Sequence, residues 1–168
     1  MEQLYLLLGG NLGDKQQIFA ETERLIELSL GQITKKSHVY ETEPWGFESD
    51  ELFWNQALIV ETAFSETECL KRIHGIEKKI GRIRNTRQYS SRIIDIDILF
   101  YGNRVVNTEE LVIPHLRMSD RKFVLVPLVE LAPNKVHPVF SKTVKQLLIE
   151  CPDQLGVSMV EFPVTPEK

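Results

Sequence analysis

The sequence is poor in cysteine: 168 residues hold only Cys69 and Cys151, far apart and without metal-ligand spacing. A disulfide framework is thereby excluded, and a reducing, cytoplasmic setting is the expectation. No long apolar run occurs either. Leu4 to Leu8 ends at Gly9 and Gly10, too short for a membrane span or the apolar region of a signal peptide. Positive charge is not in excess, and a net charge of −4 argues against a surface built for nucleic acid. The G-x-x-x-x-G-K-[ST] pattern of a phosphate-cradling P-loop is missing, so "GGNLGD" reads as a strand-to-helix turn. There is no internal repeat and no linker. One domain over residues 1–162, with a flexible tail at 163–168, is expected, and a hydrophobic content of 42% with 26% charged residues suits a soluble globule.

What is present alternates between the two secondary-structure periods. "QLYLLLGG" predicts a buried first strand stopped by glycine, and Asp14 is placed to cap a helix that ends before Gly31. Residues 32–42 predict a polar strand, and "EPWGFESDELF" a loop. "WNQALIVETAF" alternates, with Trp54, Gln56, Leu58 and Val60 on one face and Asn55, Ala57, Ile59 and Glu61 on the other. Ser65 and Glu68 form a capping-box pattern that opens a helix ending at Gly81. "RIIDIDILFYG" is a core strand, "YGNR" is placed to turn it into a short partner at Val105 and Val106, and a helix is expected near Thr143 to Cys151. The sum is an α+β fold: a ferredoxin-like βαββαβ core, its antiparallel sheet flanked by helices, with extra C-terminal elements.

Inside the apolar strand stand two carboxylates. Residues i and i+2 of a strand share a face about 7 Å apart, so Asp95 and Asp97 lie together while Ile94, Ile96, Ile98 and Phe100 are expected on the opposite face. Neighbouring carboxylates repel unless a cation compensates. Magnesium takes one or two carboxylates, keeps waters and completes its shell with substrate phosphate, and a pair of such ions is a clamp for phosphate chemistry. The plainer reading is an exposed pair neutralised by Arg92 or Arg104. Against it stands the preceding stretch, "KKIGRIRNTRQYSSR", whose Lys78, Lys79, Arg82, Arg84, Arg87 and Arg92 are interrupted by Gly, Asn, Thr and Ser. Guanidinium groups grip phosphate oxygens in bidentate fashion. Arginines beside a magnesium-binding pair are the parts for phosphoryl-type transfer, and a compact polyanion such as ATP suits an acidic chain.

Taken in order, "LLLGGNLGD", "ETEPWG", "FWNQALIVET", "IEKKIGRIR", "SSRIIDIDILFYG" and "VIPHLRMSDRKFVLVPLVELAP" resemble the 6-hydroxymethyl-7,8-dihydropterin pyrophosphokinase family of folate biosynthesis. The most specific piece is R-x-x-D-x-D followed by two aliphatics: Arg92, Asp95, Asp97, Ile98 and Leu99. The resemblance implies transfer of the β,γ-pyrophosphate of ATP to the hydroxymethyl group of the reduced pterin, leaving AMP. It implies two Mg2+ ions on Asp95 and Asp97, and ATP contacts from Arg82, Arg84, Arg92, Ile98, His115 and Arg121. Arg82 and Arg92, with the two aspartates, are the implied catalytic set. For the pterin it implies Thr42, Trp45, Asn55 and Asp95, with Phe53 and Phe123 stacking on the ring; Asn11 is a candidate border of that pocket. The loops at 43–53 and 82–92 are implied to close over the substrates. A monomer acting on small molecules, with neither nucleic acid nor membrane as partner, completes the expectation.

The chain departs from the family pattern at Gln88 and Ser90, where a basic residue and Gly or Ala are usual, with Arg87 one position from the missing charge. Glu43 stands where proline is frequent and Phe53 where tyrosine is, while Glu110 and Leu116 replace Arg and Tyr. Two other functions share the same parts. A metal-dependent nucleotidyltransferase would release pyrophosphate instead of AMP, although no glycine-serine motif precedes the aspartates. A non-catalytic ferredoxin-like domain would bind nucleotide without chemistry.

Overall fold

A computed structural model of the chain describes residues 1–43, 52–81 and 93–161. The elements run β1 (Glu2–Gly10), α1 (Lys15–Ser29), β2 (Gly31–Lys36), β3 (Tyr40–Thr42), β4 (Phe53–Thr62), α2 (Glu66–Ile80), β5 (Asp95–Tyr101), β6 (Val106–Asn107), β7 (Val112–Ile113), α3 (Lys122–Leu131), α4 (Val144–Glu150) and β8 (Val157–Met159). The main sheet is ordered β5-β1-β4-β3-β8, and β2 also pairs with β4. Pairing of β1 with both β4 and β5 is antiparallel. This is the split βαβ arrangement, with its helices packed on both faces.

Burial on both faces explains the unbroken apolar run of β1. Leu4, Leu6 and Leu8 join one core with Phe19, Ile26, Ile73 and Ile76 of α1 and α2. Tyr5 and Leu7 join a second core with Val124, Leu125 and Leu128 of α3 and Val144 and Leu147 of α4. A strand covered on both sides needs no polar alternation. In β4 the expected alternation holds: Leu58 and Val60 enter the first core, Ile59 the second. The helix caps are also those read from sequence. Asp14 accepts the Gln17 N–H at 3.2 Å, Ser65 Oγ accepts the Glu68 N–H at 3.2 Å, and Gly81 ends α2 at a φ of 99°. The Glu68 carboxylate takes Arg72 as partner at 3.2 Å.

Four expectations are corrected. β1 runs through Gly9 and Gly10, each paired with β4, so the glycines lie in the strand and do not stop it. The polar strand at 32–42 is two strands broken at residues 37–39, where Ser37 and Ala57 exchange hydrogen bonds through Ser37 N and Oγ. Val106 pairs with β7, not β5. Beyond Tyr101 the chain turns away, Arg104 N bonding Tyr101 O, and the His115 N–H takes the Leu99 carbonyl on the outer side of β5. Phe100 does not share the face of Ile96 and Ile98. Leu6 faces Ile98 while Tyr5 faces Phe100, so Leu99 is an extra residue. This bulge turns Phe100 into the second core and Tyr101 into the first. Helix α3, apolar and holding Pro127, had no amphipathic stripe by which to be read.

In the loop between α3 and α4, His137 is 3% exposed, and its Nδ1 accepts the N–H groups of Val139 at 3.2 Å and Phe140 at 3.1 Å. The ring stacks on Phe140 at 4.3 Å. Burial lowers its pKa from 6.5, because the charged ring would lose its hydration. A depressed folded value means the stability from this residue is present above 6.5 and is lost as pH falls through the folded pKa. The melting temperature should therefore fall between about pH 7 and about pH 5, and His137→Gln should reduce that slope. An unchanged slope in the variant, measured by thermal denaturation, would refute this account.

Candidate active site

The candidate residues are collected by strand pairing. Opposite residues in an antiparallel pair share a face. Gly9 pairs with Asn55 on one side and Asp95 on the other, so Asn55, Gly9 and Asp95 form one row across three strands. In the next row, Leu7 pairs with Asp97. On the far side of β4, Asn55 pairs with Tyr40 and Phe53 with Thr42. All these side chains stand on the face covered by α3, whose first turn carries Phe123, packed against the second core. Thr42 and Asn55 are buried.

Gly9 belongs to the candidate site by its pairing, and sequence reading missed it although its place in an otherwise apolar strand was the available signal. A Cβ there would lie 2.8 Å from Asn55 Oδ1. The absent side chain leaves room for the Asn55 amide. Asn11 follows directly after the strand and is fully buried.

β5 is the edge strand, and a cleft of about 350 Å³ opens along it. Its wall includes Asp95, Asp97, Ile98 and His115 from the expected set. Leu70, His74 and Glu77 add a wall from α2, and Glu110 and Leu116 lie at its rim. The spacing of 70, 74 and 77 marks one helical face and was readable. Buried Glu77 accepts the Ile96 N–H at 3.1 Å, pinning the peptide between the two aspartates.

The plainer reading of the aspartates loses one of its cations, since Arg104 binds Glu66 at 3.1 and 3.2 Å. His115, after the cis Ile113–Pro114 peptide, accepts the Arg117 N–H on Nδ1 at 3.3 Å. That contact leaves Nε2 to carry the ring hydrogen. Burial lowers the His115 pKa below 6.5, with Arg121 and Arg117 pushing the same way and Asp95 opposing. One neutral imidazole thus senses Asp95 and Arg121 together. The Arg121 guanidinium in turn lies 5.8 Å from the Phe123 ring. Arg82, Arg84, Arg92 and Trp45, and both loops implied to close, lie outside the described residues apart from the loop-end residues Glu43, Leu52 and Phe53.

Among the described residues no three His, Cys, Asp or Glu side chains are grouped to hold a metal. An all-protein cage is therefore not offered. Two carboxylates on one face at an open cleft fit instead an ion that takes its other ligands from water and substrate phosphate.

Fold and cleft define a class: a ferredoxin-like α+β domain with two carboxylates at an open cleft along the edge of its sheet. A model of the 7,8-dihydro-6-hydroxymethylpterin-pyrophosphokinase (HPPK) family matches residues 5–133. The 2-amino-4-hydroxy-6-hydroxymethyldihydropteridine pyrophosphokinase of Aquifex aeolicus is 39% identical over 146 residues, covering 87% of this chain and 90% of that one. The protein of the same name from Methylorubrum extorquens is 36% identical over 162 residues, 96% of this chain and all of its own length. Among solved structures, wild-type Plasmodium falciparum HPPK-DHPS with pteroate matches with a TM-score of 0.73 over 89% of this chain and 44% of that longer one. At 18% identity that last likeness is one of fold. The chain belongs to the HPPK family, and pyrophosphokinase activity in folate biosynthesis is its function.

An NMR titration checks the convergence at His115. Its midpoint should lie below 6.5, rise in Arg121→Gln and fall further in Asp95→Asn. Movement in the opposite directions would separate these residues.

Proposed function

We propose that this chain transfers the β,γ-diphosphate of ATP to the hydroxymethyl oxygen of 6-hydroxymethyl-7,8-dihydropterin, releasing AMP, with Asp95 and Asp97 holding Mg2+. The observation that carries this reading is the row Asn55, Gly9, Asp95. Adjacent strands are about 4.8 Å apart, so Asn55 and Asp95 stand about 10 Å apart, two strand spacings. That is the span of a bicyclic pterin from its amide edge to its hydroxymethyl group. Asn55 both donates and accepts, as the amide edge requires. Phe53 and Phe123 are offered to the two ring faces, and Thr42 flanks Phe53. The acceptor oxygen then lies at Asp95.

The other half of the reaction belongs to the cleft along β5. Bond formation from the pterin oxygen to the β-phosphorus accompanies breakage of the bond from that phosphorus to the oxygen leaving with AMP. Asp95 and Asp97 would hold the ions, which supply Lewis-acid charge at the phosphate oxygens. His115, neutral and with its hydrogen on Nε2, donates to a phosphate oxygen without needing to be protonated. Arg121 adds a cation beside it, and Arg82, Arg84 and Arg92 are assigned by the family motif to grip the triphosphate and offset developing charge. Ile98 lines the same cleft. Free Cys69 and Cys151 support a reducing cytoplasmic setting. A monomer working on two small molecules is the proposed form.

Incubation with ATP, magnesium and the pterin should yield AMP only when the pterin is present; ADP, or a nucleotide product independent of pterin, would refute the reading. Asp95→Ala and Asp97→Ala should each cut turnover by more than about tenfold, or about 1.4 kcal/mol. Asn55→Ala and Gly9→Ala should weaken pterin binding while ATP binding persists. An equal loss for both substrates, read by calorimetric titration, would remove Asn55 from the pterin site.

A further inference from the structure

Helix α3 and strand β3 are joined by a side chain outside both substrate sites. Glu130 Oε2 accepts the His38 backbone N–H at 2.7 Å, and Oε1 accepts the Tyr40 hydroxyl at 3.2 Å and the His38 ring N–H. Three donors, two from His38 in the break before β3 and one from Tyr40 of β3 itself, therefore converge on one carboxylate of α3. Tyr40 is buried, and burial together with the neighbouring carboxylate raises its phenol pKa.

The spacing along both elements gives this contact a consequence at the site. Phe123 and Glu130 are seven residues apart, two helical turns, and so lie on one face of α3 about 10 Å apart. Tyr40 and Thr42 are two residues apart on β3 and share its face, about 7 Å apart. Glu130 on Tyr40 is thus one rung between helix and sheet, and Phe123, two turns back on the same helix face, is a second, packed on the sheet face that carries Thr42 and Phe53. Tyr40 is also the pairing neighbour of Asn55. The separation of α3 from the sheet at the first rung sets the width of the slot at the second. β3 is three residues long and is paired with β4 on one side and β8 on the other.

We propose that Glu130 is a positioning residue: it clamps β3 to α3 and so fixes the gap in which the pterin ring is held between Phe123 and Phe53. The inference rests on the pterin reading given above. It predicts that the clamp acts on the pterin and not on the nucleotide, whose cleft lies at the other edge of β1 along β5. A general loss of folding would affect both substrates.

The test is steady-state kinetics of the full chain with each substrate varied, in wild type, Glu130→Ala, Glu130→Gln and Tyr40→Phe. Glu130→Ala should raise the pterin KM about tenfold, with the ATP KM within about twofold and kcat within about threefold. Tyr40→Phe, which removes one donor and keeps the ring, should raise the pterin KM by a smaller factor in the same direction. Should Glu130→Ala not fold, Glu130→Gln and Tyr40→Phe carry the test, since each leaves the backbone contact at His38 an acceptor. An unmoved pterin KM, or equal rises for pterin and ATP, would overturn the clamp. A wild-type chain that forms no AMP from ATP and pterin would overturn the pterin reading and the clamp with it. Normal wild-type turnover with unchanged variants would overturn the clamp alone.

Discussion

The register of β1 between β4 and β5 is the constraint on which the rest depends. A one-residue slip in either ladder would send Asn55 or Asp95 to the face of α1 and α2. Leu4, Leu6 and Leu8 on one side, and Tyr5 and Leu7 on the other, oppose such a slip because it would exchange two different cores. Fixing this register places the pterin end and the phosphate end of the proposed site at the same time. Gly9 is where that constraint meets chemistry. Its hydrogen side chain weakens a buried strand position by about 0.5–1 kcal/mol relative to alanine, and the space it leaves is occupied by Asn55 Oδ1.

The second structural problem is the edge. A strand at the margin of a sheet leaves N–H and C=O groups unpaired. Here the edge strand is the one that carries both aspartates, and two devices satisfy its outer side. Glu77 takes the Ile96 N–H and His115 N–H takes the Leu99 carbonyl. The Ile113–Leu116 segment and α2 are thereby drawn against β5, and their approach forms the cleft. The bulge at Leu99 serves the same end, because it frees Asp95 and Asp97 to face the site while Phe100 still enters the core that holds Tyr5 at 5.5 Å.

Much of this was legible in the amino acids. The aspartates at i and i+2, the caps at Asp14, Ser65 and Gly81, and the alternation of β4 all follow from local rules, and local rules held. What failed was information carried by pairing. Nothing in "IDILFY" announces an extra residue, since a bulge is defined by two strands and only one is visible in a stretch of sequence. Val106 was assigned to the nearest strand, whereas the outer side of β5 had been taken by His115, thirteen residues beyond Gly102. The helix bearing Phe123 escaped because an apolar segment holding Pro127 has no stripe by which to be read. The family resemblance assigns Asn55 and Phe123 to the pterin; the register places Asn55 on the sheet face against which α3, with Phe123, packs.

Charge gives the cleft its remaining logic. Asp95, Asp97, Glu77 and Glu110 all contribute to its lining. Two unit charges 4 Å apart at an effective dielectric of about 20 interact by about 4 kcal/mol, so a triphosphate meeting such a wall bare would be repelled. Binding therefore requires positive charge between the carboxylates and the phosphate. Glu77 is committed to the Ile96 N–H, and Asp95 and Asp97 share one face of the edge strand. His115 lines the same cleft, its pKa lowered by burial, and Arg121, whose charge acts on it, lies beside Phe123. Under the proposed reading, a cation held by the aspartates would offset the repulsion that a polyanion alone would meet at this wall. In the proposed site, the acidity of this wall is what would couple metal to nucleotide.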